Sequence, residues 1–578
     1  MTPLDFRNTN TLWCSVLAET LVRCGVTQAV VSPGSRSTPL TMALARHPGI
    51  EAVPVLDERS GAFFALGLAK QKGRPVVLVC TSGTAGANYF PAVIEAYEGG
   101  VPLIVITADR PPEMRDCTSG QTIDQQKLFG GFVRFYHEFA VPEAKVALLR
   151  YLRQTVVHAV DRATRGPVHL NAPFRDPLPP IADDTAKGLQ GEDWEAFFTE
   201  FLAPKPEPFT GVSVPANGRG LIIAGPAQPA DAEVWSEAVW SFAGERGWPV
   251  LADALNPLRS HTPAGAAVVT TYDVLLRSPA LAERLKPDFI VCLENWPTSK
   301  VLRAWVEGLN VPVILLTAAE QNRDSLHGPT RWVRCGIEDV LHTAGGEIPA
   351  DVQDYAAAWN EAELAARKAL DDRLAGEDGF EGRIVWELAK ALPRGTPVFI
   401  ANSMPVRDAE YFWPANDRGL RVFVSRGANG IDGTLSTALG VAHGNAPAVL
   451  LTGDLALLHD TNGFLTMPQL NGSLTIVVVN NGGGGIFNHL PVAQFDPLFE
   501  KYWATPQTVD FAKLCAAYGV EHVRVDNAAQ LVALVGELPE SGVRVLEVRT
   551  DRVRDAAFRK QLFAEVAAAL AQASHRAK

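Results

Sequence analysis

The sequence predicts an α/β protein of three doubly wound domains, each built on a parallel sheet with helices on both faces. Short, nearly continuous apolar segments alternate with segments of helical periodicity, and continuous apolar strands are typical of parallel sheets that are buried on both faces. The alternation begins anew twice, first after a stretch rich in Pro and charged residues and then after a long Ala/Glu/Arg-rich helix. A chain of 578 residues is long enough for about three or four domains.

The first predicted domain covers residues 1–180. Its first helix, 10–23, carries Leu12, Val16 and Leu17 at helical spacing. The apolar pattern then predicts a strand at 28–32, a helix at 60–72, a strand at 76–80, a helix at 86–98 and a strand at 103–107.

A predicted linker, 181–215, is rich in Pro, Asp, Glu and Lys and has weak periodicity apart from one helix near Trp194. The central domain, 216–350, has apolar strands at 220–225, 288–293 and 311–316. The third domain, 351–578, begins with a helix at about 352–371. Its predicted strands lie near Val398, Val422, Val449, Ile476 and Val545.

The first and third domains resemble each other in one segment. Ala-Leu-Gly-Leu-Ala at 65–69 and Ala-Leu-Gly-Val-Ala at 438–442 each precede a strand, a Gly-containing turn, a helix and a second strand. Two interpretations remain open: any two doubly wound units share this layout, or two related domains face one another across a cofactor.

The composition is that of an ordinary globular protein, with 47% hydrophobic and 20% charged residues. A net charge of −12 argues against nonspecific nucleic-acid binding, which needs a basic face. No uncharged apolar run approaches the ~18 residues of a membrane span. The seven cysteines are scattered, and the first residues lack a secretory signal. We therefore expect a cytoplasmic protein with no disulfide framework.

The strongest local pattern joins two strand ends in the third domain. Gly453-Asp454-Leu455 is followed after 24 residues by Asn480-Asn481 and four glycines, and both parts follow apolar strands. Because loops after adjacent parallel strands meet at the carboxyl edge of a sheet, Asp454 and Asn481 can offer oxygens to one Mg²⁺. The glycines let backbone groups approach a diphosphate. The alternative is a strand-end Asp and an Asn-Gly turn without a metal.

This pattern resembles the signature of the thiamine-diphosphate-dependent enzymes, in which Gly-Asp-Gly precedes Asn-Asn by some two dozen residues. Leu455 stands where the family has its last Gly. The resemblance implies the fold of the thiamine-diphosphate-dependent decarboxylases and a cofactor of thiamine diphosphate with Mg²⁺, or Mn²⁺ as an alternative ion. It places the metal ligands at Asp454, Asn481 and the Gly483 carbonyl, and further cofactor contacts at Gly453 and Leu455.

Glu58 is the candidate for the carboxylate that the family places beside N1′ of the cofactor's aminopyrimidine, which makes it both a catalytic and a cofactor-binding residue. It follows an apolar segment and begins a predicted helix. The alternative is that Asp57 and Glu58 only cap this helix. In the family, one subunit supplies this Glu and another the diphosphate site, which implies a homodimer or homotetramer.

Four further segments occur in the order found in one branch of this family, which joins 2-oxoglutarate to isochorismate in menaquinone biosynthesis. They lie at 32–40, 81–85, 107–113 and 425–433. Both substrates are dicarboxylates, and Arg can bind carboxylates through two hydrogen bonds. The candidates, each at a predicted strand end, are Arg36, Arg110, Arg407 and Arg426. For each Arg alone, a structural or solvated ion pair is the alternative.

By resemblance, Gln121 and Ser403 contact substrate, and Ile431 is the apolar residue that bends the cofactor or, alternatively, a core residue. Ile486, Phe487 and Leu490 form an apolar wall near the reacting carbons. Where relatives have adjacent Lys-Arg, this chain has Lys300 and Val301, with Arg303 one helical turn away. The resemblance therefore implies Lys300 as a substrate contact. Arg303 is a possible replacement for the Arg that relatives have beside this Lys.

Two rival functions are retained. An acetolactate-synthase-like enzyme or another 2-oxoacid decarboxylase of the same cofactor family explains the metal motif and Glu58, but not the repeated Arg positions. A dinucleotide-binding or regulatory protein is the second rival. Against it, the central Gly225-Pro-Ala-Gln turn lacks the G-x-G-x-x-G pattern of a dinucleotide site.

Overall fold

The computed structural model describes residues 4–199, 214, 218–340 and 347–576. These residues form three six-stranded sheets in which every paired strand runs parallel to its neighbour, with helices between the strands. This confirms the predicted α/β class with three doubly wound sheets. Residues 200–213 and 215–217, which include most of the predicted linker's second half, lie outside the described residues, as do residues 341–346.

The first sheet has the strand order β2-β1-β3-β4-β6-β5. Strands β3, β4 and β6 are buried along their whole length. The strands are β1 Gln28–Val31, β2 Glu51–Pro54, β3 Val76–Cys80, β4 Leu103–Asp109, β5 Phe135–Glu138 and β6 Val168–Pro173.

The second sheet has the order β12-β11-β10-β7-β8-β9, and the third has the order β14-β13-β15-β16-β18-β17. The strands of the second are β7 Gly220–Ala224, β8 Val250–Ala252, β9 Val268–Val269, β10 Phe289–Leu293, β11 Val313–Leu316 and β12 Thr330–Val333. Those of the third are β13 Pro397–Ile400, β14 Arg421–Phe423, β15 Ala448–Gly453, β16 Ser473–Asn480, β17 Glu521–Val525 and β18 Gly542–Arg549.

α-Helices separate most of these strands along the described chain. Those up to residue 199 are α1 Thr9–Arg23, α2 Thr38–Arg46, α3 Glu58–Lys72, α4 Ala85–Asn88, α5 Phe90–Gly99, α6 Val146–Ala163 and α7 Trp194–Thr199. Those of the central part are α8 Ala232–Arg246, α9 Tyr272–Leu275, α10 Pro279–Arg284 and α11 Lys300–Leu309. The remainder are α12 Ala350–Ala375, α13 Glu381–Ala391, α14 Met404–Phe412, α15 Thr434–Ala442, α16 Asp454–His459, α17 Phe511–Tyr518, α18 Ala528–Gly536 and α19 Arg552–Arg576.

The apolar pattern located most of the strands inside the sheets but missed β6 and β8, and it also missed several strands at the edges. Strands β2, β5, β12 and β17 lie at sheet edges, and each contains charged or exposed residues that interrupt an apolar run. The predicted helix 86–98 is two helices, α4 and α5, and Pro91 lies in the first turn of the second. The helix expected near Trp194 is α7.

The chain forms two compact units. The first contains Met1–Glu207 together with Ser425–Gly444 and His459–Asn471. The second contains Pro208–Val424, Asn445–Leu458 and Gly472–Lys578. The first sheet therefore shares its unit with two segments from the last third of the chain, while the second and third sheets share the other unit.

Within the first unit, the two similar Ala-Leu-Gly segments pack against each other. A Cβ atom on Gly67 of α3 would lie 2.0 Å from the carbonyl oxygen of Thr437 in α15. A Cβ atom on Gly440 of α15 would lie 2.1 Å from the carbonyl oxygen of Phe64 in α3. Glycine is thus required at the centre of each segment, because only a missing side chain allows the two helix backbones to approach so closely.

In the second unit, one hydrophobic cluster joins helices beside the second sheet to helices beside the third. It contains Tyr272 and Leu275 of α9, Trp359 of α12, Phe412 of α14 and Leu562 of α19, all fully or almost fully buried. No helix of the described residues is long and apolar enough to cross a membrane.

The buried His169 of β6 gives the first unit a defined response to acid. Its Nε2 lies 2.8 Å from Thr107 Oγ1, whose hydroxyl donates to Asn171 Oδ1. Nε2 therefore donates to Thr107, and the ring is neutral. Burial lowers the pKa of His169 to about 3, whereas an unfolded His titrates near ~6.5. The stability that this neutral ring contributes is complete above pH ~6.5 and is lost as the pH falls towards 3.

We predict that His169→Gln lowers the stability of the protein at pH 7 but reduces its loss of stability between pH 7 and 4.5. His169 accounts for about 3 kcal/mol of that loss. Urea unfolding at the two pH values measures the difference. His158→Gln, at an exposed position on α6 of the same unit, should retain the wild-type loss. A wild-type loss in His169→Gln would contradict the prediction.

Candidate active site

Asp454 and Asn481 follow adjacent strands of the third sheet. Strand β15 pairs with β16 in parallel register, Gly453 opposite Val479, so the loops after both strands lie at the same edge. Asp454 is 5% exposed. Its Oδ1 accepts a hydrogen bond from the Leu455 amide, and its Oδ2 accepts one from the Gly483 amide, both at 2.8 Å. The Asp454 carboxylate thus links the two loops.

Burial raises the pKa of Asp454 to about 6, while the backbone amides of Leu455 and Gly483 act in the opposite direction. These amide donors do not offset the loss of hydration of this carboxylate. A cation beside the carboxylate would favour its ionised form.

The side chain of Asn481 has one satisfied and one unsatisfied end. Its Nδ2 donates to Glu381 Oε2 at 3.1 Å. Its Oδ1 is buried and accepts no hydrogen bond from any described residue. An unpaired buried carbonyl oxygen costs about 1–3 kcal/mol, so this atom is suited to a ligand that accepts its lone pair. A hard cation such as Mg²⁺ fits this demand.

The glycines after Asn481 are required by close backbone packing. Gly483 has φ +134°, and a Cβ atom there would lie 2.4 Å from the Ala504 carbonyl oxygen. That same oxygen accepts a hydrogen bond from the Gly484 amide at 2.7 Å. The Gly483 carbonyl accepts from the Gly485 amide at 2.8 Å and retains a second lone pair.

Leu455, which stands where the resemblance expects Gly, lies in α16 and is half-buried. A helical backbone does not require glycine, so this departure leaves the loop geometry intact. Gly453 ends β15, and a Cβ atom there would meet nothing within 4 Å.

Glu58 and Asp57 have different roles at the start of α3. Asp57 is the capping residue, since its Oδ1 accepts from the amides of Arg59 and Ser60 at 2.8 and 3.3 Å. Glu58 is the first residue of the helix and is half-buried, and among the described residues its carboxylate has no hydrogen bond or ion pair. It lies close enough to the buried Cys80 and Tyr89 for its charge, after burial, to help raise both their pKa values.

Arg36, Arg110 and Gln121 come together in the first unit. Arg110 Nη1 donates to Ser82 Oγ at 2.6 Å and also to the Gln121 carbonyl, and Gln121 Nε2 donates to the Ser82 carbonyl at 3.2 Å. Arg36 Nη1 donates to the Phe174 carbonyl at 2.9 Å. The pKa of Arg36 is lowered first by burial and further by the charge of Arg110. Two neighbouring cations of this kind suit an anionic ligand.

Glycine also brings the loops of this group together. A Cβ atom on Gly34 would lie 2.2 Å from Cβ of Thr81, and the Arg36 amide donates to Thr81 Oγ1 at 3.3 Å. The Ser-Pro-Gly-Ser-Arg and Thr-Ser-Gly segments follow β1 and β3, which are neighbours in the first sheet. Their packing fixes the backbone that carries Arg36.

The loop that carries Arg426 and Ile431 is held by Glu95 of α5. The buried Glu95 carboxylate accepts from the amides of Gly427 and Ala428 at 2.9 and 2.6 Å. A Cβ atom on Gly427 would lie 2.6 Å from the Glu95 carbonyl oxygen. Arg426 and Ile431 are half-buried, and the Ile431 carbonyl accepts from Thr434 Oγ1.

In the second unit, Arg407 lies in α14, where its Nη1 donates to the Ser403 carbonyl at 2.5 Å. Ser403 has φ +72°, a conformation that is rare for residues with a side chain and is concentrated at functional sites. Burial lowers the pKa of Arg407, and the charge of Arg303 contributes to this shift. Arg303 is therefore near Arg407, whereas Lys300 is exposed at the start of α11.

The three residues of the expected apolar wall follow the glycine loop. Ile486 and Phe487 are half-buried, and Leu490 is 41% exposed. Phe487 also packs near Gly484, where a Cβ atom would lie 2.8 Å from its ring.

The structure thus groups the candidates by unit. The first unit holds Glu58, Arg426 and Ile431, as well as Arg110, the Gln121 that it contacts, and the neighbouring Arg36. The second unit holds the loop of Asp454, Asn481 and Gly483, and the set of Ser403, Arg407 and Arg303. Sequence reasoning missed Ser82, Glu95 and Glu381. Ser82 lies in a motif that was recognised, but a Glu within or at the start of a helix gives no sequence signal of burial.

Comparison with known proteins agrees with this geometry. Residues 14–128 match the family model of the thiamine pyrophosphate enzyme N-terminal TPP binding domain. Residues 405–548 match that of the C-terminal TPP binding domain. Thiamine pyrophosphate is the same compound as thiamine diphosphate. Fold and matches together define the class as a thiamine pyrophosphate enzyme.

Relatives of nearly the same length narrow the class. The protein of Gloeothece citriformis is 49% identical over 96% of this chain and 98% of its own length. The protein of Microcystis aeruginosa is 50% identical over 97% of this chain and 99% of its own length. The protein of Synechococcus elongatus is 49% identical over 98% of this chain and 98% of its own length. All three are named 2-succinyl-5-enolpyruvyl-6-hydroxy-3-cyclohexene-1-carboxylate synthase. The chain belongs to this synthase family.

We predict that Asp454→Ala weakens Mg²⁺-dependent binding of thiamine diphosphate by about 100-fold or more, because loss of a residue that merely supports a metal ligand already costs 10- to 100-fold. Isothermal titration with and without Mg²⁺ measures the effect. Asp454→Asn, which retains an acceptor for the Gly483 amide but not the charge, should also bind weakly. Asp526→Ala, at an exposed position, is the control. Unchanged affinity in both Asp454 variants would contradict the metal assignment.

Proposed function

We propose that the chain uses thiamine diphosphate and Mg²⁺ to decarboxylate 2-oxoglutarate and to add the remaining four-carbon unit to isochorismate in a 1,4-addition. The product would be 2-succinyl-5-enolpyruvyl-6-hydroxy-3-cyclohexene-1-carboxylate, the compound in the relatives' name, in menaquinone biosynthesis. The observation that carries the proposal is the buried, unpaired Asn481 Oδ1 in a loop joined to the buried Asp454.

Asp454, Asn481 and the Gly483 carbonyl would supply the protein ligands of Mg²⁺, with Mn²⁺ as an alternative ion. This set has one carboxylate, one amide and one carbonyl oxygen, which is typical of Mg²⁺ bound together with substrate phosphates. Gly453 and Leu455 would line the diphosphate, since their backbone adjoins Asp454.

Thiamine diphosphate, when bound, supplies the carbon nucleophile and the electron sink that decarboxylation of a 2-oxoacid needs. Glu58 would hold a proton shared with N1′ of the aminopyrimidine, and its carboxylate is free for this because Asp57 caps the helix. Ile431 would place an apolar side chain against the cofactor. As in the family, Glu58 of one subunit would serve the diphosphate site of another, in a homodimer or homotetramer.

The cationic groups of both units suit two dicarboxylate substrates. Arg36, Arg110 and Arg426 would bind carboxylates from the first unit, and Arg407 from the second, with Lys300 and Arg303 in support. Gln121 and Ser403 would add polar contacts to the substrates. Ile486, Phe487 and Leu490 would exclude water from the reacting carbons.

Observations in the central domain favour this proposal over a dinucleotide-binding function. The turn after β7, where such a ligand would bind, is filled by the chain itself. A Cβ atom on Gly225 would lie 1.6 Å from the Asn295 carbonyl oxygen, and Asn295 Nδ2 donates to the Pro226 carbonyl at 2.9 Å.

The domain limits of 1–180, 181–215, 216–350 and 351–578 remain predictions, with the first domain binding the pyrimidine and the last the diphosphate and metal. We further propose that the protein acts in the cytoplasm on small molecules and does not bind nucleic acid.

We predict that Glu58→Gln retains the fold and reduces turnover by about 100-fold or more, which is the range of acid–base contributions. The change keeps the size of the side chain but removes its ability to share a proton with N1′. Product formation gives the rate, and circular dichroism checks the fold. Glu192→Gln, at an exposed position, is the control, and a wild-type rate in Glu58→Gln would rule out this role.

A product assay tests the substrates. With 2-oxoglutarate and isochorismate, we expect a product whose mass is the sum of both less CO₂. Omitting isochorismate should prevent its formation, and pyruvate should be a poor substitute for 2-oxoglutarate because it lacks the second carboxylate. Faster turnover of pyruvate to acetolactate would instead favour the acetolactate-synthase-like alternative.

A further inference from the structure

A cluster of charged side chains is buried behind Asn481 in the second unit. Glu381 at the start of α13, Asp408 in α14 and Arg559 in α19 each have side chains only 3% exposed. Arg559 Nη2 donates to Glu381 Oε1 at 2.7 Å and to Asp408 Oδ1 at 2.5 Å. Arg559 Nη1 lies 2.9 Å from His489 Nε2. The guanidinium is thus held on three sides.

Glu381 is fixed by its side chain and by its backbone. Its Oε1 is held by Arg559, and its amide donates to Asp555 Oδ2 at 3.1 Å. The remaining oxygen, Oε2, is the atom that accepts from Asn481 Nδ2 at 3.1 Å. Because a carboxylate only accepts hydrogen bonds, the NH₂ group of Asn481 must face Glu381, and Oδ1 must point to the other side.

We propose that Glu381, held by Arg559, is a positioning residue that sets the amide orientation of Asn481 and so presents Oδ1 to the cation. The inference rests on the proposed function, in which Asn481 is a metal ligand. Partners behind a metal ligand commonly fix its orientation and tune the affinity of the site. Here the partner is itself fixed by a buried cation, so the amide cannot turn without breaking a charge-assisted hydrogen bond.

The first test is Glu381→Gln. The NH₂ group of the introduced Gln would face either the Arg559 guanidinium or Asn481. In the first case two hydrogen-bond donors would face each other, which is unfavourable. In the second case Asn481 turns, and its Oδ1 accepts from the new NH₂ instead of binding the cation. We expect the Mg²⁺ concentration needed for half-maximal thiamine diphosphate binding to rise about 10- to 100-fold. Isothermal titration of the full chain with thiamine diphosphate at stepped Mg²⁺ concentrations measures this directly.

A second substitution distinguishes orientation from general damage. Asn481→Asp alone places one carboxylate against that of Glu381, and the repulsion should raise the Mg²⁺ concentration needed for half-maximal thiamine diphosphate binding. In the double variant Glu381→Gln/Asn481→Asp, the Gln NH₂ can donate to one carboxylate oxygen and leave the other for the cation. We therefore expect the double variant to bind with less Mg²⁺ than either single variant. A role in stability alone would not produce this recovery.

The control is Glu363→Gln, which changes another buried glutamate of the same unit that accepts hydrogen bonds from Thr270 and Thr271. It should keep the wild-type Mg²⁺ dependence. If Glu381→Gln fails to fold, Glu381→Asp keeps the charge beside Arg559 but withdraws it from Asn481, and the same rise is expected.

The outcomes separate the two proposals. A wild-type chain that binds thiamine diphosphate without regard to Mg²⁺ would overturn the proposed function. A Mg²⁺-dependent wild type, an impaired Asn481→Asp and an unaffected Glu381 variant would overturn the positioning role alone. Additive losses in the double variant would also overturn it.

Discussion

A carboxylate and an amide oxygen buried at the edge of a parallel sheet lose their hydration, and a bound cation can compensate that loss. Asp454 and Asn481 meet this condition because β15 and β16 are neighbours in the third sheet. The Gly483 amide donates to Asp454, so a hydrogen bond joins the two loops. Because Gly483 and Gly484 have no side chain, the 503–506 segment can pack directly against the backbone of this loop.

Close backbone approach is the second constraint on this fold. Gly67 and Gly440 let α3 and α15 touch, and Gly34 lets the loop after β1 rest on Thr81. The α3 contact lies on the helix that Glu58 begins, and the Thr81 contact supports the backbone of Arg36. Close glycine packing therefore supports the backbone beside two candidate residues of the first unit, Glu58 and Arg36.

Acidic side chains hold loops and helix ends of the candidate site. Glu95 accepts two amides from the loop of Arg426 and Ile431, and Glu381 accepts from Asn481. Asp57 caps α3, so the neighbouring Glu58 is not needed as the cap. In each case an acidic residue supports the backbone or the side chain of a neighbouring candidate residue.

The sequence by itself determined the fold class and most of the buried strands, and it singled out the loop of Asp454 and Asn481 as a candidate metal site, because buried parallel strands and glycine-rich turns have strong local patterns. Through motifs, it also supplied Glu58 and the Arg positions as candidates. It left open whether Glu58 caps the helix that follows it. It also left open whether the two Ala-Leu-Gly segments share only a common layout or belong to related domains that face one another. Only the tertiary structure decided that Asp57 is the cap, that Gly67 and Gly440 bring those segments into contact, and that Glu95 and Glu381 are buried supports. The physical reason is that burial and hydrogen-bond partners depend on residues tens to hundreds of positions away, which no local pattern records.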